Sequence, residues 1–401
     1  MSGLYFYDDA RARQFEPFAL TRPASELRAG TSLIRRRWER ATSLKSAGFI
    51  SSAHLAHFEE GNAPPAVASK SEIPAGSVLV NSRCVVPFGL ELDRFDLLMC
   101  EGAACAVRLA RSLPISQFAD GSVDLGSIQT SLGGRKIQGR WMNEVWDYVA
   151  TLTDQLMEDI PLRAKALEAT AKITATTIGD HGVFVEEGAE IGPQVVLDAS
   201  AGPILIRREA VVAPFTHLAG PIVIGRASQI MGDRIASSSI GDHCKVRGEF
   251  SNSIVLGHSN KGHAGFVGHS YLGRWVNIGS LTTTSNLKNT YGEVQLWTPS
   301  GVRPTGQQFL GTIFGDHVKT GIGTMLSTGT VIGAGANLFG SNVPPKVVPP
   351  FAWGDGEPYD TYDVAKFLAV AERVMLRRHV ELGDNARKQL SEAHKRRWSV
   401  S

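Results

Sequence analysis

The stretch Ile206-Arg-Arg-Glu-Ala-Val-Val212-Ala-Pro-Phe-Thr-His-Leu218-Ala-Gly-Pro-Ile-Val-Ile224-Gly-Arg-Ala-Ser-Gln-Ile230 carries a large aliphatic residue at every sixth position. Upstream the same six-residue spacing runs through Val185, Ile191 and Leu197; downstream, after a break, it runs through Phe314, Leu326, Ile332 and Leu338, with Thr320 in the one polar slot. Glycine follows the aliphatic residue at Ile191-Gly192, Ile224-Gly225, Ile278-Gly279 and Ile332-Gly333. Each six-residue unit makes one short strand and one tight corner, the aliphatic side chain points inward, and three units close a triangular coil. The period therefore predicts a parallel β-helix. A β-sandwich, the rival, spaces its turns by about 8 to 12 residues and alternates polar and apolar positions over longer runs.

Glycine supports the same reading. Of 42 glycines in 401 residues, 27 lie between Gly179 and Gly340, so the excess belongs to one domain. The length allows two or three domains, and 43% apolar residues suffice for a core in each. The balance of 41 basic and 39 acidic residues gives a net charge of +2, which argues against nucleic acid or a membrane surface as partner. No uninterrupted run of 18 apolar residues occurs, and the opening Met1-Ser2-Gly3-Leu4-Tyr5-Phe6-Tyr7 lacks the pattern of a secretory signal, so no membrane insertion and a cytoplasmic location are expected. Cys84, Cys100, Cys105 and Cys244 form no C-x-x-C pair and read as reduced, buried thiols.

The flanks differ from the repeat. Residues 1–139 mix β-rich runs (Leu4 to Tyr7, Val78 to Val80) with a helical one (Ser32 to Lys45) and predict an α/β domain. Residues 140–170, with Trp141, Val145, Tyr148, Val149, Leu152 and Leu156, predict a linker helix; 171–341 form the β-helix. Residues 342–401 read as a proline-rich strap followed by a basic C-terminal helix over Tyr362 to Trp398, its apolar side packed and its charges solvated.

The segment His263-Ala-Gly-Phe-Val-Gly268, then Leu272-Gly-Arg-Trp-Val-Asn277-Ile-Gly279 and the loop Thr282-Thr-Thr-Ser-Asn286-Leu-Lys288-Asn-Thr-Tyr-Gly292, resembles the acetyltransferase half of the bifunctional N-acetylglucosamine-1-phosphate uridyltransferase/glucosamine-1-phosphate acetyltransferase family. It is most similar to a divergent, sugar-nucleotidyltransferase branch of that family. Leu20-Thr-Arg22-Pro23-Ala-Ser-Glu26-Leu27-Arg28-Ala-Gly30 resembles that branch's opening. The resemblance implies a nucleotidyltransferase-like α/β N-terminal domain, a left-handed parallel β-helix and an acyltransferase that takes acetyl-CoA. His263 stands where the family has its base, and imidazole titrates near neutral pH. Asn277 would orient donor or amine, and the backbone N–H of Gly279 or Ser280 would meet the oxyanion. Arg234 and Lys288 are candidates for the sugar phosphate. The family loop reads Gly-Ala-Gly-Thr where this chain has Gly279-Ser-Leu-Thr, and residues 281 to 311 exceed what the repeat needs.

Three histidines at 258, 263 and 269 raise a zinc site as a rival, although neighbours in such a series fall on different faces of a coil. Nucleotidyl transfer needs a backbone loop for the triphosphate, basic side chains and carboxylates for Mg2+. The candidates are Arg22, Arg28 and Gly30 for nucleotide and Asp8 and Asp9 for metal, but the loop has one glycine and no matching lysine. Three functions follow: an acyltransferase on an amino-sugar phosphate in sugar-nucleotide synthesis, a sugar-1-phosphate nucleotidyltransferase whose β-helix assembles the oligomer, and a non-catalytic scaffold that binds sugar nucleotide. All three expect a homotrimer, because hexapeptide helices bury their flat sides in threefold rings.

Overall fold

The computed structural model describes residues 3–128 and 134–399. Two compact units divide the chain, one of residues 1–147 with 383–396, the other of residues 148–382 with 397–401.

The first unit is built on a six-stranded mixed sheet. Its order is Arg135–Ile137, Leu97–Cys100, Ala103–Arg108, Val78–Asn81, Leu4–Tyr7, Ser46–Ile50. Leu4–Tyr7 lies parallel to both neighbours, and Ala103–Arg108 is antiparallel to both of its own. Tyr7, Leu79, Val107 and Phe118 fill one core, as β-rich runs buried on both faces require. Helix α1 (Ile34–Thr42) buries Ile34, Trp38 and Ala41, and the Trp38 indole donates to the Cys84 carbonyl at 2.8 Å. All four cysteines are free and buried.

The linker helix is observed as a short turn, α2 (Asp147–Ala150), and a longer α3 (Leu152–Ala166), with Leu152, Leu156 and Ile160 inward. A parallel β-solenoid follows. Its first face runs from Thr176–Ile178 to Val267–Gly268, its second carries nine parallel strands from Val183–Val185 to Val347–Val348, and its third runs from Glu190–Ile191 to Asn260–Lys261 and resumes at Lys319–Thr320. Bridges at Asn277 join the two parts of the third face. Val185, Ile191, Leu197, Leu218, Ile224, Ile230, Phe314, Leu326, Ile332 and Leu338 all sit in or against one core, as the six-residue phase predicts.

Two boundaries need correction. The solenoid does not stop at residue 341: Val347–Val348 and Ala352–Gly354 pair in parallel with Val331–Ile332 and Asn337–Leu338, so the proline-rich strap is a last coil. Prolines at 344, 345, 349 and 350 are tolerated because this coil closes the stack and its outer edge needs no donors. The expected single C-terminal helix is two, α4 (Val364–Leu376) and α5 (Asp384–Lys395), broken where His379 takes a φ of +58° and Gly383 caps the second. Helix α4 packs Phe367 on His317 and Phe351 of the solenoid, whereas α5 belongs to the first unit. No helix among the described residues is long and apolar enough to cross a membrane.

Candidate functional site

His263 sits on the corner between the third-face strand Asn260–Lys261 and the first-face strand Val267–Gly268, exposed to solvent. Glycines on either side make this corner possible. Gly265 has a φ of +119°, and a Cβ there would stand 2.3 Å from the Thr282 carbonyl oxygen of the next coil. Three residues before His263, Asn260 donates its Nδ2 to Asn277 Oδ1 at 2.8 Å, so the two asparagines stack on successive coils. Asn277 is exposed, and its Oδ1 is occupied, which leaves the amide NH2 as the group it offers. Lys319 is next on the same ladder, and burial pushes its pKa down to about 8. The sequence reading missed Lys319, although its position one coil above Asn277 is set by the strand register.

The oxyanion role expected of Gly279 is not met, because its N–H already donates to Thr320 Oγ1 at 3.1 Å. Stacked corners consume their own amides: a Cβ on Gly279 would meet the Gly321 carbonyl oxygen at 2.3 Å. Ser280 is half-buried, and its carbonyl accepts from Gly323. Arg234 and Lys288 do not converge within the chain. Arg234 is exposed on the first face, and Lys288 lies in the excursion that leaves this face after Thr283–Thr284, three coils on. Lys288 donates to the Glu293 carbonyl in its own loop. A second cation stands near it: burial, and then the Lys288 charge, lower the pKa of Lys346, a residue the sequence reading did not single out.

The excursion is real. Between Thr283–Thr284 and Thr312–Phe314 the chain leaves the solenoid to form the hairpin Gln295–Thr298/Gly301–Pro304, on which Trp297 meets Trp398 at a ring separation of 4.3 Å. At its base Asn286 Nδ2 meets His269 Nδ1 at 2.8 Å, the imidazole stacks on Phe309, and burial pushes its pKa down to about 4. The three histidines do not gather into one site within the chain. His258 Nδ1 faces the Arg274 guanidinium at 3.3 Å, His269 is held by Asn286, and no metal-binding group of three or more acidic, histidine or cysteine side chains forms among the described residues.

The N-terminal candidates also need correction. Arg22 is 4% exposed and ion-paired with Glu60 at 2.7 Å; Arg28 and Gly30 are buried within the unit. The amides of the intended phosphate loop are spent internally: those of Thr21 and Arg22 on the Phe18 carbonyl, that of Glu26 on Pro23, that of Ala24 on Asp8 Oδ2. Gly30 supplies a positive φ of +56° that turns the chain between Arg28–Ala29 and Ser32–Leu33. Asp8 is 2% exposed, and burial raises its pKa, opposed by Ser51 and Ala24. Burial works the same way on Asp9, but the Arg83 hydrogen bonds and charge, with Asn81, outweigh it and hold the carboxyl below its ordinary range. Asp9 is thus neutralised by Arg83, whereas Asp8 keeps one buried oxygen, Oδ1, without a hydrogen-bond partner.

The sugar nucleotidyl transferase family model matches residues 4–167. Among curated proteins, bifunctional protein GlmU of Methanococcus vannielii is 25% identical over 217 residues, 53% of this chain and 46% of that protein. The bifunctional sugar-1-phosphate nucleotidylyltransferase/acetyltransferase of Sulfurisphaera tokodaii is 32% identical over 91 residues, 23% of each. The chain thus spans less than half the length of these relatives. Solved structures it resembles include an Arabidopsis UDP-N-acetylglucosamine acyltransferase, at 11% identity and a TM-score of 0.25 over 52% of this chain and 80% of that one. Another is a Bacillus cereus N-acyltransferase, AntD, at 16% identity and 0.22 over 49% and 90%. Residues 4–167 are thus similar to the sugar nucleotidyl transferase family, about half of the chain is similar to bifunctional GlmU proteins, and a parallel β-solenoid follows the matched segment.

Proposed function

We propose that this protein transfers an acyl group, acetyl first among candidates, from acetyl-CoA to the amine of an amino-sugar phosphate or related sugar nucleotide. The observation that carries the reading is the exposed His263 on a corner fixed by glycine, three residues from the Asn260–Asn277 pair. The amine nitrogen bonds to the thioester carbonyl carbon, the C–S bond breaks, and His263 takes the amine proton and returns it to the departing thiol. Asn277, its oxygen engaged, presents its NH2 to the developing oxyanion in place of the occupied Gly279 amide. Lys288 and Lys346 supply positive charge for the phosphate. A homotrimer accords with the solvent-facing Phe215, Leu281 and Ile322, at 74, 61 and 77% exposure on the solenoid surface.

The N-terminal unit serves this reading as a domain of sugar-nucleotide type in which Arg22 is paired with Glu60 and Asp9 with Arg83. The test is thiol release from acetyl-CoA with a panel of amino-sugar phosphates. A general base contributes about 10²- to 10⁴-fold, so His263→Ala loses at least about 100-fold in kcat. Wild-type protein that releases no thiol with any acceptor, yet releases pyrophosphate from a nucleoside triphosphate and a sugar phosphate, overturns the reading in favour of nucleotidyl transfer.

A further inference from the structure

One residue breaks the solenoid's interior rule. Along the third face the inward slots read Ile191, Val212, Ile230, Val246, Lys261, Ile278, Thr320 and Leu338. Lys261 is 1% exposed in a slot that otherwise takes an aliphatic or a threonine. Its Nζ donates to the carbonyl oxygens of Arg247 at 3.2 Å, of Ala264 at 3.3 Å and of His263. An ammonium group has three donors and no acceptor, so three carbonyls satisfy it completely.

We propose that Lys261 is a positioning residue, whose buried ammonium group ties the His263 turn to the corner of the preceding coil and so fixes where His263 points. Two of its acceptors belong to the His263 turn and the third to the turn one coil below. The two corners are backbone against backbone: a Cβ on Gly248 would stand 2.5 Å from the Gly265 oxygen and 3.0 Å from the His263 oxygen. Carbonyl oxygens concentrated this closely call for a cation, and no apolar side chain answers them. Asp233 braces the other side, its Oδ2 accepting from the Gly248 amide and from Arg247 Nε at 3.2 Å each. Burial pushes the lysine's pKa down to about 8 and Asp233 opposes the shift. The Ala264 oxygen also accepts from the Leu281 amide at 2.9 Å, so the clamp reaches the coil above. The catalytic consequence rests on His263 being the base; the clamp itself does not.

The experiment compares full-length wild type with Lys261→Met, which keeps the length and loses the donors, and Lys261→Gln, which keeps two donors and covers the case in which the methionine variant does not fold. Amide exchange is followed at Leu281, with Ile278, bonded to the Asn260 carbonyl, as internal control. Expected for Lys261→Met is faster exchange at Leu281 with Ile278 unchanged, and a fall in kcat of about 10- to 100-fold at a KM for acetyl-CoA within about threefold. Lys261→Gln recovers most of both. Unchanged exchange at Leu281 overturns the clamp, and faster exchange with wild-type kcat overturns the positioning role. Should the wild type transfer no acyl group, the acyltransfer reading fails separately, and the His263 imidazole is titrated by NMR. A His263 resonance that is shifted or broadened in Lys261→Met upholds the clamp, and one superimposable on wild type overturns it.

Discussion

His269 shows what a single buried side chain does to stability. Its imidazole titrates at about 4 in the fold, against about 6.5 for an exposed histidine. The unfolded chain therefore binds the extra proton first, so the stability this residue allows is complete above pH 6.5 and is lost as pH falls toward 4. Two and a half pKa units amount to about 3 kcal/mol. Denaturant titrations of wild type and His269→Gln between pH 7 and 4 are expected to diverge by about that much, with the variant flatter. A second prediction concerns Asp9: Arg83→Met leaves its partly buried carboxylate without its cation and costs about 2 to 4 kcal/mol by urea unfolding. At this scale the repeat shows only that Asn277 stands on the coil after Asn260; the roles of His263 and Asn277 rest on the family resemblance. Lys261 escaped because interior slots are recognised by their hydrophobicity, and a lysine registers as a gap. Arg22 and Arg28 misled for the converse reason, since sequence does not reveal that Glu60, 38 residues on, neutralises Arg22 inside the fold.

Among elements, the coil governs what can be substituted. Backbone from the next coil sits where a Cβ on Gly279 would go, 2.3 Å from the Gly321 oxygen, so Gly279→Ala has no flexible neighbour to push aside. It is expected to lower solenoid stability by about 2 to 4 kcal/mol, read from the thermal transition of the second unit, whereas Gly188→Ala, with open space around its Cβ, costs about 1 kcal/mol from its positive φ alone. The same element explains how far the repeat could be read. Third-face slots 230, 246, 261 and 278 are 16, 15 and 17 residues apart, so the six-residue phase slips between Ile230 and Phe314 although the coils continue. The last coil was hidden by its prolines, which resemble a linker unless the strand they interrupt is known to be terminal. The helix break at His379 had no proline to announce it.

In the whole molecule, the route of the chain matters as much as its folds. Helix α5 returns to the first unit, where Leu390 and Ala393 are buried and Gln389 donates to the Thr21 carbonyl at 3.2 Å. Leu390→Ala is accordingly expected to destabilise the first unit by about 2 to 4 kcal/mol and to leave the solenoid transition in place, as differential scanning calorimetry would resolve. The division at 147/148 lies inside the segment 140–170 read as a linker helix, some thirty residues before glycine content and period change; the return of α5 was not legible, because an amphipathic helix does not state which surface it covers. That return sets a timetable on the ribosome. The first unit takes residues 1–147 and then residues 383–396, with the 235 residues from 148 to 382 between them. At about 5 to 20 residues per second, an emerging chain waits roughly 12 to 47 s with its opening domain incomplete, so the solenoid closes first and the domain that starts the sequence is the later to mature.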